Sequence, residues 1–88
     1  MIWVTEANYE GGYKLWVRFN DGRCGIIDLG PWLAEEQGPV FGPLRDLDEF
    51  RCFRVDMDTI VWGNGADLAP EFLYDMLDDG AKRANGSE

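Results

Sequence analysis

Residues 59–77 read TIVWGNGADLAPEFLYDML, and the way this stretch turns decides the fold. Thr59, Ile60, Val61 and Trp62 are β-branched or aromatic, side chains that suit a pleated, half-buried surface. Gly63-Asn64-Gly65 comes next, and two glycines around an asparagine suit positive φ, so the strand ends in a sharp reversal. Asp67 then stands where a helix N-cap accepts from free amides. Pro70 fits a first helical turn but disfavours α geometry at Ala69, which leaves residue 68 or residue 70 as the start. Glu71 sets negative charge at the positive end of the helix dipole. Leu68, Phe72, Leu73, Met76 and Leu77 recur at helical spacing as a core stripe, and Gly80 is a natural stop.

Working back toward the N-terminus, Tyr13 to Phe19 alternates cleanly. Tyr13, Leu15, Val17 and Phe19 share one face, and Lys14, Trp16 and Arg18 the other, the period-2 signature of a half-buried strand. Asn20-Asp21-Gly22 is a hairpin signal, with Asp21 and Gly22 as its structural residues. Arg23 to Leu29 returns as a third strand with Cys24 and Ile26 on one face, and Ile2 to Ala7 reads as the first strand. Gly30-Pro31 breaks the third strand, and Trp32 to Gln37 suits one or two helical turns. Arg45 to Phe50 suits another short turn. Arg51 to Met57 alternates again, and with Thr59–Trp62 it suggests a second hairpin.

The fold class expected is α+β. A mostly antiparallel sheet of about five strands forms two hairpin-like groups, with a C-terminal helix packed on one face. Residues 1–79 make a single domain, and 80–88 read as a disordered polar tail. Eighty-eight residues allow one small core, and a chain of this size buries only about 60–65% of its unfolded surface. Four Trp, five Phe and three Tyr supply large buried areas in compensation.

Seventeen acidic against eight basic residues give a net charge of −9. Affinity for nucleic acid rests on neutralised phosphates, so direct DNA or RNA binding is disfavoured. A basic protein partner is favoured, through long-range attraction; simple solubility is the competing explanation of the charge. Cys24 and Cys52 are too far apart in sequence for a zinc pattern. Met1-Ile2-Trp3-Val4 lacks the charged start of a secretory leader, and no apolar run is long enough to span a membrane. The expected compartment is therefore the cytoplasm, with both thiols reduced and buried.

Chemistry has few footholds. Histidine is absent, which removes the commonest general base and metal ligand. No Ser/His/Asp or Cys/His set exists, so no catalytic residue, cofactor or metal is expected. Asp56 and Asp58, two apart, could share a strand face and hold a divalent cation, although aspartates beside a turn are more simply solvated turn formers. Asp75, Asp78 and Asp79 near a helix C-terminus suggest either a partner-facing patch or a solvated face. Gly63-Asn64-Gly65 has the look of a phosphate cradle, but no lysine comes after it, and Asp67 and Glu71 would repel the anion. The candidate binding residues are Trp62, Asn64, Asp67 and Glu71, gathered at a strand-to-helix turn. Gly65 and Pro70 shape that turn. Asp67 also carries a structural reading as N-cap, worth about 0.5–2 kcal/mol.

Three segments, FNDGRCGIIDL, VFGPLRDLDEF and TIVWGNGADLAPEFLY, resemble the bacterial family known as domain of unknown function 2442. The matching positions are Phe19, Asp21, Gly22, Ile27, Asp28 and Leu29, then Phe41, Leu44, Asp46 and Phe50. Ile60, Trp62, Asn64, Gly65, Ala66, Asp67, Leu68, Pro70 and Glu71 complete them. Gly63 stands where the family usually has proline, which loosens the turn. The resemblance implies a small α+β domain and brings no enzymatic activity with it. It also implies a two-protein, toxin–antitoxin-like setting in which this domain is the antitoxin. The expected function is thus a non-catalytic acidic protein-binding domain, with a small-ligand or divalent-metal-binding domain at the Trp62–Glu71 turn as the alternative. A homo-oligomer is left open.

Overall fold

The computed structural model describes residues 1–35 and 38–77. Alternation at residues 14–19 works as expected: Leu15, Val17 and Phe19 are buried, and Lys14 and Arg18 face water. This strand, β2 (Lys14–Phe19), lies between β1 (Val4–Tyr9) and β3 (Cys24–Asp28) in an antiparallel sheet of order β1-β2-β3. A second antiparallel sheet has the order β4 (Arg54–Asp56), β5 (Thr59–Val61), β6 (Asp67–Leu68). Between them run two short helices, α1 (Gly30–Glu35) and α2 (Leu47–Phe50), separated by a 3-10 turn at Gly42–Arg45. A C-terminal helix, α3, occupies 70–77. The class is α+β, with six strands among the described residues where about five were expected.

Two loops share one construction. In the β2–β3 loop the Phe19 amide donates to the Arg23 carbonyl (2.9 Å), the Gly22 amide to Phe19 (2.9 Å), and the Arg23 amide to Asp21 Oδ1 (2.9 Å). In the β5–β6 loop the Trp62 amide donates to Ala66 (2.9 Å), the Gly65 amide to Trp62 (3.1 Å), and the Ala66 amide to Asn64 Oδ1 (3.1 Å). Each is an aromatic-x-Asx-Gly hairpin loop in which the Asx oxygen closes a local turn. Gly22 (φ 91°) and Gly65 (φ 93°) sit in the left-handed region where a Cβ would be strained.

The second loop overturns one expectation. Asp67 is not an N-cap: it pairs across from Val61, as Leu68 does from Ile60. The reversal at Gly65 sends the chain back along β5, and a returning segment satisfies its backbone by laddering. The helix starts at residue 70, because Ala69 before proline resists α geometry. Strand four is likewise shorter than the alternation suggested: only Arg54–Asp56 ladders, and all three of its residues are exposed. Helix α1 begins at Gly30, two residues earlier than the helical turns expected from Trp32. Both thiols, expected to be buried, are exposed: Cys24 lies with Ile26 on the outer face of β3 while Ile27 turns inward, and Cys52 lies in the turn after α2. The expected helix stop at Gly80, the domain boundary at 79, the tail at 80–88 and residues 36–37 lie outside the described residues.

Helix α3 covers the inner face of the first sheet. Leu73 and Leu77 are buried, and the ring of Tyr74 meets Phe19 edge-on at 5.0 Å. A Cβ at Gly25 would stand 2.5 Å from Leu77 Cδ1, a measure of how closely the helix lies on β3. At the other end of that same inner face, aromatic rings join the two sheets. Phe50, fully buried, meets Tyr13 at 5.3 Å, Tyr9 at 6.3 Å and Trp62 at 5.8 Å. The Trp62 indole N–H donates to the Phe50 carbonyl at 2.7 Å, and the Tyr13 hydroxyl donates to the Arg45 carbonyl.

Trp62→Phe keeps a ring but leaves the Phe50 carbonyl without its buried donor. A buried unsatisfied acceptor costs about 1–3 kcal/mol, and a domain of this size loses roughly 4–8 °C of Tm per kcal/mol. Thermal unfolding monitored by circular dichroism reads the loss directly; a variant melting with the parent would show that the bond carries no stability.

Candidate functional site

The four candidate binding residues hang on the β5–β6 loop and the first turn of α3, but they do different work. Trp62 is 3% exposed, and its only polar group is committed to Phe50. Asn64 is exposed, yet both ends of its amide are taken: Oδ1 by the Ala66 amide, and Nδ2 by the Val40 carbonyl at 2.9 Å. That second bond ties the loop to the segment before the 3-10 turn. Asp67 and Glu71 are exposed, and neither carboxylate meets a described cation or donor. The loop therefore offers two exposed carboxylates beside a buried indole and an amide bonded at both its oxygen and its nitrogen.

Gly22 and Gly65 take positive φ, and Pro70 opens α3. Asp21 does more than form its turn, and nothing local in the sequence signals it, because the second partner lies 53 residues away. Its Oδ2 accepts the Tyr74 hydroxyl at 2.7 Å, while the Arg23 guanidinium lies 5.3 Å from the centre of the Tyr74 ring. The carboxyl of Asp21 is held below the usual aspartate range, first by the Tyr74 hydroxyl, then by the Arg23 amide, with the Arg23 charge contributing less.

Asp56 and Asp58 do not share a strand face. Asp56 ends β4 and pairs with Arg54 at 3.6 Å; Asp58 lies in the tight turn with Met57, both at positive φ (67° and 52°). Among the described residues no group of three or more Asp, Glu or Cys side chains could hold a metal ion.

The cations are dispersed. Arg18 pairs with Glu6 (3.3 Å) and lies over the Trp16 ring (5.3 Å), and Arg51 pairs with Asp48 (3.3 Å). Arg45 donates to the Leu33 and Ala34 carbonyls at the end of α1. Lys14 stands across from Asp28. The exposed ion pairs are worth about 0–1 kcal/mol each, so their main effect is to neutralise the local patches around Arg18, Arg51 and Arg54. Glu10, Glu49, Asp58, Asp67, Glu71 and Asp75 are exposed and have no cationic partner among the described residues.

The family model described as protein of unknown function (DUF2442) matches residues 4–79, and the chain belongs to that family. No match is found among curated proteins or among solved structures. Among the described residues no helix is long and apolar enough to cross a membrane.

Two substitutions test these roles. Asp67→Ala should change stability by no more than about 0.5 kcal/mol, the range for an exposed site away from caps and networks; a loss of a full cap's worth in urea unfolding would restore the capping role. For Asp21, a depressed native pKa means stability present above the unfolded value and lost as pH falls through the native one. Tyr74→Phe removes the largest cause, so the Asp21 carboxyl should titrate at higher pH, and that increment should shrink. Carboxyl-carbon NMR titration reads the shift; an unchanged midpoint would mean that the hydroxyl does not hold the charge.

Proposed function

We propose that this domain is a non-catalytic acidic protein-binding module that takes a basic protein partner. The observation that carries the reading is the imbalance left after local pairing. The described arginines are each engaged with a carboxylate, a ring or a helix end, and Lys14 stands across from Asp28, while many exposed carboxylates have no cationic partner among the described residues. With a net charge of −9, the field reaching solvent is negative, which steers and orients a positive partner. It also leaves no basic face for a phosphate backbone among the described residues.

The absence of histidine and the engagement of Trp62 and Asn64 within the fold favour binding over catalysis. In a two-protein bacterial system this domain would be the antitoxin-like member, neutralising a basic companion by covering it. Exposed free Cys24 and Cys52 suit a reducing cytoplasm.

Capture from host lysate at low and moderate salt, with the parent and with Asp58→Asn/Asp67→Asn/Glu71→Gln, tests the reading. The parent should retain a basic protein that rebinds after purification. The neutralised variant should retain much less, and added salt should weaken both. Equal retention by parent and variant, or no retained protein at either salt, would overturn the proposal.

A further inference from the structure

The strand edges of this domain are not alike. Edge strand β1 carries an irregularity between Val4 and Glu6, lies against β4 and β5, and donates from Val4 to the Asp58 carbonyl at 2.9 Å. Edge strand β4 has three residues, two of them charged, and β6 has two residues before the chain enters α3. These are the usual protections against stray pairing: bulges, charge, shortness and cover. Strand β3 has none of them. It is five residues long, CGIID, without a bulge, a proline or a lysine, and its one charge sits at the end.

Its free side can be assigned residue by residue. The Phe19 amide donates to Arg23, and the Leu29 amide to Tyr13. Bonded pairs alternate along an antiparallel ladder, so Gly25 and Ile27 also bond to β2. Cys24, Ile26 and Asp28 therefore turn their N–H and C=O groups outward, and no described residue meets them. Ile26 is 56% exposed, beside half-buried Trp16 on the outer face of the sheet, which no described element covers.

We propose that β3 pairs antiparallel with β3 of a second copy of this chain, about a two-fold axis at Ile26. Each Ile26 then faces its counterpart, and each Cys24 faces the counterpart of Asp28. The two sheets join into one of six strands. The centre of the joint outer face reads Trp16, Ile26, Ile26, Trp16, an apolar band flanked by rows in which Asp28 of one copy lies toward Arg18 of the other.

Charge selects the second copy over a basic partner here. The molecule carries −9, but the strand residues of this face set Lys14 and Arg18 against Glu6 and Asp28 in balance, and Glu10 adds one negative charge past the end of β1, away from the β3 edge. It is a place where two acidic copies can meet without like charges in contact. The proposal rests on β3, not on the acidic surface, so either can fail alone. Their salt responses are opposite: screening relieves the overall repulsion between copies and strengthens self-pairing, while it weakens capture of a basic protein.

Sedimentation equilibrium of the full chain tests it. The mass should rise from 10.0 kDa toward twice that value with protein concentration, and more readily at higher salt. Ile26→Lys, at an exposed position, should keep the parent's circular dichroism and give the monomer. Ile26→Pro should do the same, since the lost N–H points away from β2. In a Cys24→Ser/Cys52→Ser background, Ile26→Cys should cross-link on mild oxidation, because paired Cα atoms lie about 5.5 Å apart. Native Cys24 should not cross-link to its counterpart, some four residues or about 14 Å distant along the strand. A chain that stays monomeric at high micromolar concentration overturns the proposal. So does a dimer that survives Ile26→Lys, or one in which Ile26→Cys fails to cross-link.

Discussion

The hydrogen bond from the Trp62 indole to the Phe50 carbonyl is the constraint on which the rest of the fold depends. Phe50 ends α2, and the last carbonyls of a helix have no partner within it. A four-residue helix gains too little from its own bonds to persist in water. It exists because Asp46 accepts the Asp48 amide at its start and the indole of Trp62, just past β5, closes its end. The same logic holds α1, whose final carbonyls accept from Arg45. Each short helix is thus stabilised by a donor reaching in from elsewhere. The aromatic rings around Phe50 tie both sheets to that closure.

Much of this was legible in the sequence. Period-2 alternation located β2 and its buried face, and Asp21-Gly22 located a hairpin. Gly63-Asn64-Gly65 located a reversal. The error lay just beyond that reversal, because Asp67 before a proline-initiated helix looks like a cap. The decisive term was non-local: a hairpin loop aims the next residues along β5, and the ladder bonds there outcompete a side-chain cap. Burial of Cys24 failed for a related reason. Alternation shows which residues share a face but not which face is inside, and the inward face of β3 was set by α3 packing on Gly25.

The candidate site was legible as a motif more than as a site. Trp62, Asn64, Gly65 and Pro70 form a connected unit, but its bonds close on the fold itself. Net charge could be counted in advance, whereas what each arginine engages could not. Pairings such as Arg18 with Glu6 depend on register, and the stacking of Arg23 on Tyr74 joins residues far apart in the chain. Register also distinguishes β3 from the protected edges, so the contrast between the acidic surface and the balanced outer face emerges only once strands are paired.

The twin loops bear on how the protein ages. Asn-Gly is the dipeptide most prone to deamidation, because the glycine amide nitrogen can attack the asparagine side chain and expel ammonia. Here the Gly65 amide is turned toward the Trp62 carbonyl, and the Asn64 amide is clamped between Val40 and Ala66. The folded loop therefore holds nucleophile and target out of line, and damage accumulates in molecules that are transiently unfolded. The β2–β3 loop already carries aspartate at the equivalent position and turns equally well. An aged Asn64 converted to normal aspartate would keep the turn while losing its donor to Val40. Such a molecule would be loosened at the junction of the loop with the 38–41 segment, and would gain one more negative charge on an acidic surface.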